Sequence, residues 1–167
     1  MALTREKKEE VVEKVKNITK NAQSVTFVNF KGLGVEKVNQ IRRKLKDEGV
    51  GYLVAKKSLI KRAFDEVGVS GERPPLEGEI AMAYSNDDLI APAREIYQFQ
   101  KKEAGALSIV GGIFDGSFMS MEQMTEVASI PPEIVLRGQF VNLINSPIQG
   151  FVIALDKIAE KKEKVSA

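Results

Sequence analysis

The chain changes character at Ser129-Ile130-Pro131-Pro132. Adjacent prolines cannot continue a helix or a hydrogen-bonded ladder, and a residue preceding a proline is pushed toward extended backbone. Before this break, apolar stretches of strand character alternate with stretches of helical period; beyond it only the helical period remains. Strands are predicted over SVTFVNF (24–30), GYLVAK (51–56), EIAMAYS (79–85) and ALSIVGGIF (106–114). Helices are predicted over 4–20 with Thr4 as cap, over 35–48 and 58–67, from an Asn86-Asp87-Asp88 cap to about Lys102, and over 121–128. Residues 70–78 read as a loop, and Pro147 is expected to begin a new segment within the helical tail. The pattern predicts an α+β protein: an α/β sandwich over 1–130 and a C-terminal helical extension over 131–167.

Side-chain chemistry narrows the function. The 167 residues include neither Cys nor His. Thiol nucleophiles, disulfides, thiolate or imidazole metal sites and histidine bases are therefore excluded. No nucleophile–base pair is identifiable among the remaining residues, and neither a metal nor a cofactor is expected. No apolar run reaches the roughly 18–20 residues of a membrane span. The first twenty residues mix Glu with Lys and fit neither a signal nor a transit peptide, so a cytoplasmic protein is expected.

The net charge of +2 conceals a polar chain. Residues 1–73 carry 17 basic and 10 acidic side chains, and residues 74–167 carry 8 and 13. The window 31–62 alone holds 10 basic and 3 acidic residues. On the second predicted helix Arg42, Arg43 and Lys46 fan out from one edge of the stripe Val35, Val38, Ile41 and Leu45, with Lys37 and Lys44 at the other edge. On the third, Lys57 and Lys61 are i,i+4 neighbours beside Arg62, and like charges at that spacing cost an isolated helix a few tenths of a kcal/mol. Such crowding suits a polyanionic partner, against the plainer reading of a solvated face. Aromatic residues are sparse nearby, which favours backbone contact with a folded nucleic acid over base stacking.

Two glycine-rich spots read as turns. Lys31-Gly32-Leu33-Gly34 follows a strand but lacks the G-K-[ST] of a P-loop and the third glycine of a dinucleotide fingerprint. Gly111-Gly112 and Gly116 fall at a strand end and its turn, where glycine permits tight backbone geometry. The Asp87/Asp88 pair reads as a helix cap. In the tail, GQFVNLIN (138–145) and QGFVIALD (149–156) align at an offset of 11, pairing Phe140 with Phe151, Val141 with Val152, and Ile144 with Leu155. An 11-residue repeat returns side chains to nearly the same helix face. Leu143 and Ile153 are expected to extend the stripe. The plain reading is a helix packed on its own domain; the Pro-Pro break favours a helix that serves a partner.

In combination, these segments resemble the bacterial-type large-subunit ribosomal protein ten family, the ribosomal stalk-base proteins, over essentially the whole chain. Val25–Val35 is similar to the family's first strand and Gly-Leu turn, with Asn29 where the family carries Asp. Ile41-Arg42 and Leu45 match the following helix. Val54-Ala55-Lys56-Lys57-Ser58-Leu59 is similar to the family's Val-x-Lys-Asn-Thr-Leu motif, with Lys57 for Asn and Ser58 for Thr. Gly78-Glu79 stands in place of Gly-Pro, and Gly111-Gly112 and Ile130-Pro131 fall at the usual landmarks.

The resemblance implies a plait-like, non-catalytic rRNA-binding domain at the GTPase-associated region, near the eleventh large-subunit protein. It also implies a C-terminal helix holding dimers of the acidic stalk protein, which recruit translational GTPases; the 11-residue echo predicts two such dimers. The residues expected on large-subunit rRNA are Lys31, Arg42, Arg43, Lys46, Lys56, Lys57, Lys61 and Arg62. Those expected to hold stalk dimers are Phe140, Val141, Leu143, Ile144, Phe151, Val152, Leu155 and Ile158. No membrane contact is implied. Two other readings stay open on the residues alone: a generic RNA-binding module whose tail packs in cis, and a small nucleotide-binding α/β enzyme.

Overall fold

Strand β1 (Ser24–Asn29) lies at the middle of the sheet. It pairs antiparallel with β3 (Ile80–Ser85) on one side and with β4 (Ser108–Phe114) on the other. Strand β2 (Gly51–Val54) adds to β3, and β5 (Ser117–Met119) adds to β4. The five strands run in the order β2-β3-β1-β4-β5, all neighbours antiparallel. This is the architecture of a computed structural model that describes residues 5–102 and 107–166. The helices are α1 (Arg5–Asn21), α2 (Val35–Asp47), α3 (Lys57–Val67), α4 (Ala91–Lys102), α5 (Met121–Ala128) and α6 (Glu133–Ser166). The expected Thr4 cap and the first residue of the fourth predicted strand, Ala106, lie outside the described residues.

Alternation along the strands sends successive side chains to opposite faces. Phe27 and its cross-strand partner Met82 pack with Val12 and Val15 of α1 and with Ile60, Ala63 and Phe64 of α3. Val28 and Ala83 pack on the other face with Ile41 and Leu45 of α2, Ile96 of α4 and Met124 of α5. Antiparallel sheets commonly leave one face wet. Here both are covered, which is why β1 and β3 read as continuous apolar runs instead of alternating ones. Phe64 anchors one face: its ring centroid lies 5.4 Å from that of Phe27 and 5.5 Å from that of Phe118.

Several boundaries differ from the sequence reading for local reasons. Helix α4 begins at Ala91, because Ser85 Oγ accepts from the N–H groups of Asp87 and Asp88 while Asp88 Oδ1 accepts from Ile90 N–H. These bonds hold residues 86–90 as bends ahead of the helix. Strand β5 is an extra element: the Asp115-Gly116 turn closes a hairpin onto β4, and Ser70 bridges to Ser117 beyond it. Val35 starts α2 fully in solvent, 78% exposed, so the buried stripe of that helix begins further on.

The chain divides into two units, one ending at Ile130 and the other beginning at Pro131. The second unit is the single helix α6, which runs through Pro147 without interruption. A proline inside a helix forfeits the hydrogen bond to the carbonyl four residues back, here Leu143. The expected new segment at Pro147 is therefore absent, and the apolar pattern continues in phase across it through Ile148.

Candidate nucleic-acid interface and partner helix

The basic window maps onto the edge of the sheet. Because β1 and β2 both run antiparallel to β3, they are parallel to each other, and their C-terminal ends meet the start of β3: Asn29 opposite Ile80, Val54 opposite Ala81. The turn carrying Lys31 and the first turn of α3, carrying Lys56 and Lys57, thus emerge at one end of the sheet. Phe30, Val54, Lys56, Lys57 and Glu79 line a shallow cleft there. Asn29 braces the turn that carries Lys31, accepting from Lys31 N–H at 3.0 Å and donating to the Glu77 carbonyl at 3.3 Å. An aspartate at that position could accept but not donate.

Edge strand β2 separates the remaining cations. Tyr52 faces the α2 side of the sheet and Leu53 the α3 side. Arg42, Arg43 and Lys46 ride on α2, and Lys61 and Arg62 on α3, so the two groups flank the strand. All eight predicted side chains are exposed. Lys31, Arg43, Lys46, Lys56, Lys57 and Lys61 have no ion-pair partner among the described residues.

The first turn of α3 sharpens the picture. Helix N-termini carry partial positive charge and usually attract acidic residues. The first turn of α3 has none, and its N-cap, Lys56, supplies no side-chain hydrogen bond. Cations and an uncapped helix start converge on the same spot, an arrangement suited to a phosphate oxygen.

Other charges are committed internally. Lys44 pairs with the buried Glu95 at 3.1 Å and tethers α2 to α4. Arg62 donates to Glu66 at 3.2 Å, and Lys16 of α1 binds the same carboxylate. These hydrogen bonds, that of Lys16 foremost, hold the Glu66 carboxyl below its ordinary range. Arg62 is thus engaged within α3, on the carboxylate by which Lys16 joins α1 to α3. At the β4–β5 side of the same sheet end, a groove is lined by Glu72, Glu77 and Glu122 with Arg73. The end of the sheet is therefore basic beside β2 and acidic beside β5.

The glycine spots are structural. A Cβ at Gly112 would sit 2.5 Å from the Val25 carbonyl oxygen and 2.6 Å from Met124 Cε. One at Gly111, where φ is +151°, would sit 2.8 Å from both the Met119 carbonyl oxygen and the Pro74 ring. The β1–β4 register shifts at this point, Phe27 facing Gly111 and Val28 facing Ile109, which leaves Val110 as a bulge. Gly111-Gly112 lets three backbones and a methionine meet; it is not shaped as a phosphate cradle.

On α6, Phe140, Val141, Ile144, Phe151, Val152, Leu155 and Ile158 fall on one side at about 100° per residue. Each is at least half exposed. Ile148, 63% exposed, joins this stripe and bridges the two echoed clusters. It was hidden from the repeat because its counterpart eleven residues earlier is Arg137. Leu143 lies about 60° outside the stripe and Ile153 on the opposite side, so neither extends it.

Phe30 and Glu79 of the cleft also escaped the sequence reading, which had no means of setting the β1–β3 register. Among the described residues no group of acidic side chains could hold a metal ion, and no helix is long and apolar enough to cross a membrane.

Comparison with known proteins places these features. The family described as Ribosomal protein L10 matches residues 3–101. The chain is 35% identical to the large ribosomal subunit protein uL10 of Staphylococcus carnosus, covering 95% of each chain. It is 32% identical to the uL10 of Shouchella clausii over the full length of both, and 32% identical to that of Oceanobacillus iheyensis over 97% of each. The chain belongs to the ribosomal protein L10 family and is a structural, non-catalytic protein of the large ribosomal subunit.

Proposed function

We propose that the protein forms the base of the ribosomal stalk. The unit ending at Ile130 binds large-subunit rRNA through the cations around β2, beside the eleventh large-subunit protein. The helix beginning at Glu133 holds dimers of the acidic stalk protein, which recruit GTP-bound translation factors.

The observation that carries this reading is the set of unpaired cations around an edge strand, converging on a helix start with no acidic residue in its first turn. Mutual repulsion there costs stability in the free protein and is relieved when phosphates replace the condensed counterions. The spacing of the charges over two helices and a turn suits the shape of a folded RNA backbone better than individual bases. The acidic groove beside β5 repels the same backbone and so fixes which side of the sheet end the RNA approaches.

The division of labour is open to test with two chains. One ending at Ile130 is expected to fold, to bind a large-subunit rRNA fragment with near-full affinity, and to retain no stalk protein in co-purification. The full chain is expected to retain both. Retention of stalk protein by the shortened chain, or its failure to bind RNA while folded, contradicts the proposal.

A further inference from the structure

Strand β5 covers only part of its neighbour: it pairs with Gly112, Ile113 and Phe114 of β4 and stops there. Ser108 and Ile109 pair with β1 on their inner side, and Val110 is the bulge. On the outer side of these three residues no strand lies among the described residues. One side chain reaches them: Gln100 Oε1 accepts from Ile109 N–H at a long 3.4 Å. This open edge lines the acidic groove, a cavity of about 720 Å³. One wall is the start of α5, which packs on the Val28 face of the sheet, and it carries Glu122 and the exposed Met121. The other wall is the 72–77 segment, whose Leu76 packs on the Phe27 face, and it carries Glu72 and Glu77. All three carboxylates are exposed, and none has an ion-pair partner among the described residues. The cation of the groove, Arg73, is neutralised by Asp65 at 2.5 Å.

We propose that this groove binds an extended, Lys/Arg-containing segment of another protein, added as a strand beside Ser108, Ile109 and Val110. In strand addition the open backbone edge supplies affinity and alternate side-chain positions supply specificity. Successive side chains of a strand point to opposite faces of its sheet. Two adjacent basic residues would therefore reach Glu122 on one wall and Glu72 or Glu77 on the other. Charge selects this occupant. A protein of the large ribosomal subunit has RNA and RNA-binding proteins around it, and three unpaired carboxylates repel the first. RNA-binding proteins commonly carry basic arms, which complement the groove. A second copy of this chain would have to insert its own basic β2 side here, a head-to-tail contact that does not close on itself by two-fold symmetry.

The test titrates the isotopically labelled full chain with the end-capped heptapeptide Thr-Val-Lys-Arg-Val-Thr-Val and follows backbone amide shifts. Saturable shifts are expected at Ser108, Ile109, Val110 and the start of α5, with a dissociation constant below about 1 mM that rises with salt. The double variant Glu72→Gln, Glu122→Gln removes two exposed ion pairs and is expected to bind at least about threefold more weakly while melting as the parent does. The double variant Lys56→Ala, Lys57→Ala is expected to bind the peptide as the parent does. A peptide with Glu-Glu in place of Lys-Arg is expected to cause no shift. No saturable shift, shifts confined to other regions, or parent-like binding by the Glu→Gln variant overturns the proposal. Equal binding of the acidic peptide, or saturable shifts at the same amides from an RNA oligonucleotide, also overturns it. Self-association of the parent in sedimentation, abolished by the Glu→Gln variant, would make a second copy the occupant and overturn it as well.

Discussion

The guanidinium of Arg42 lies 5.9 Å from the centroid of the Tyr52 ring. A cation of the proposed RNA surface thus also covers the aromatic side chain of the edge strand, and its stem packs as well as its charge repels. Burial pushes the Tyr52 hydroxyl up to about 12, against a smaller opposing pull from Arg42. The hydroxyl is buried without a hydrogen-bond partner among the described residues.

Tyr52→Phe is therefore expected to leave stability at neutral pH unchanged or raise it by up to ~1 kcal/mol, since an unsatisfied buried group is removed. A raised folded-state value stabilises fully below the ordinary 10.0 and is lost as pH rises toward about 12. Urea melts at pH 8 and pH 11 should show the parent losing more stability than the variant across that interval.

Glu66 supplies the acid counterpart. Its carboxyl is held low by Lys16 and Arg62, so the contribution is present above the ordinary carboxylate range and is lost as pH falls through the depressed value. The protection of α1 amides against hydrogen exchange, taken relative to the intrinsic rate at each pH, is expected to fall below that range. Glu66→Gln should show the lower protection already at neutral pH, with little further loss of protection on acidification.

Gly112→Ala is expected to destabilise by about 1–3 kcal/mol, because the new methyl group meets the Val25 carbonyl and Met124 in a central strand. Gly34→Ala, with no atom within 4 Å and an ordinary φ, is expected to be near neutral. Thermal melts of the two variants check this directly, and the same melts with added nucleotide are expected to show no shift.

Element types were legible wherever period and punctuation agreed. The Ser120 capping box, with Ser120 Oγ accepting from Gln123 N–H and Gln123 Oε1 accepting from Ser120 N–H, begins α5 where the pattern placed it. What the sequence concealed were relations between distant segments. Nothing local says that β1 pairs with β3 and β4 rather than β2, so Glu79 and Phe30 could not be set beside Lys56. Short β5 has too few residues to show a period. Pro147 misled because a proline marks a helix start and a helix interior with the same residue, and only continuity of the stripe through Ile148 distinguishes them. Charges were countable, but whether each was engaged was not: Lys44 and Arg62 have acidic partners, while Lys56, Lys57 and Lys61 have none among the described residues.

The stripe on α6 predicts a stoichiometry for the proposed stalk complex. The clusters around Phe140 and Phe151 are about 16 Å apart along the axis, room for two small helical partners. Native mass spectrometry of the co-expressed complex is expected to give five chains, one copy of this protein with two stalk dimers. Phe151→Ala is expected to reduce that to three, since losing a large aromatic contact costs a few kcal/mol.

The proposed RNA surface is tested most directly by the salt dependence of binding to a large-subunit rRNA fragment, comparing the parent with the double variant Lys56→Ala, Lys57→Ala. Each phosphate contact contributes about 0.7–0.9 to the slope of log affinity against log salt. The double variant is expected to bind more weakly at low salt, with a slope shallower by about 1.5. A variant with the parent's affinity and the parent's slope would contradict an RNA role for the cations at the start of α3.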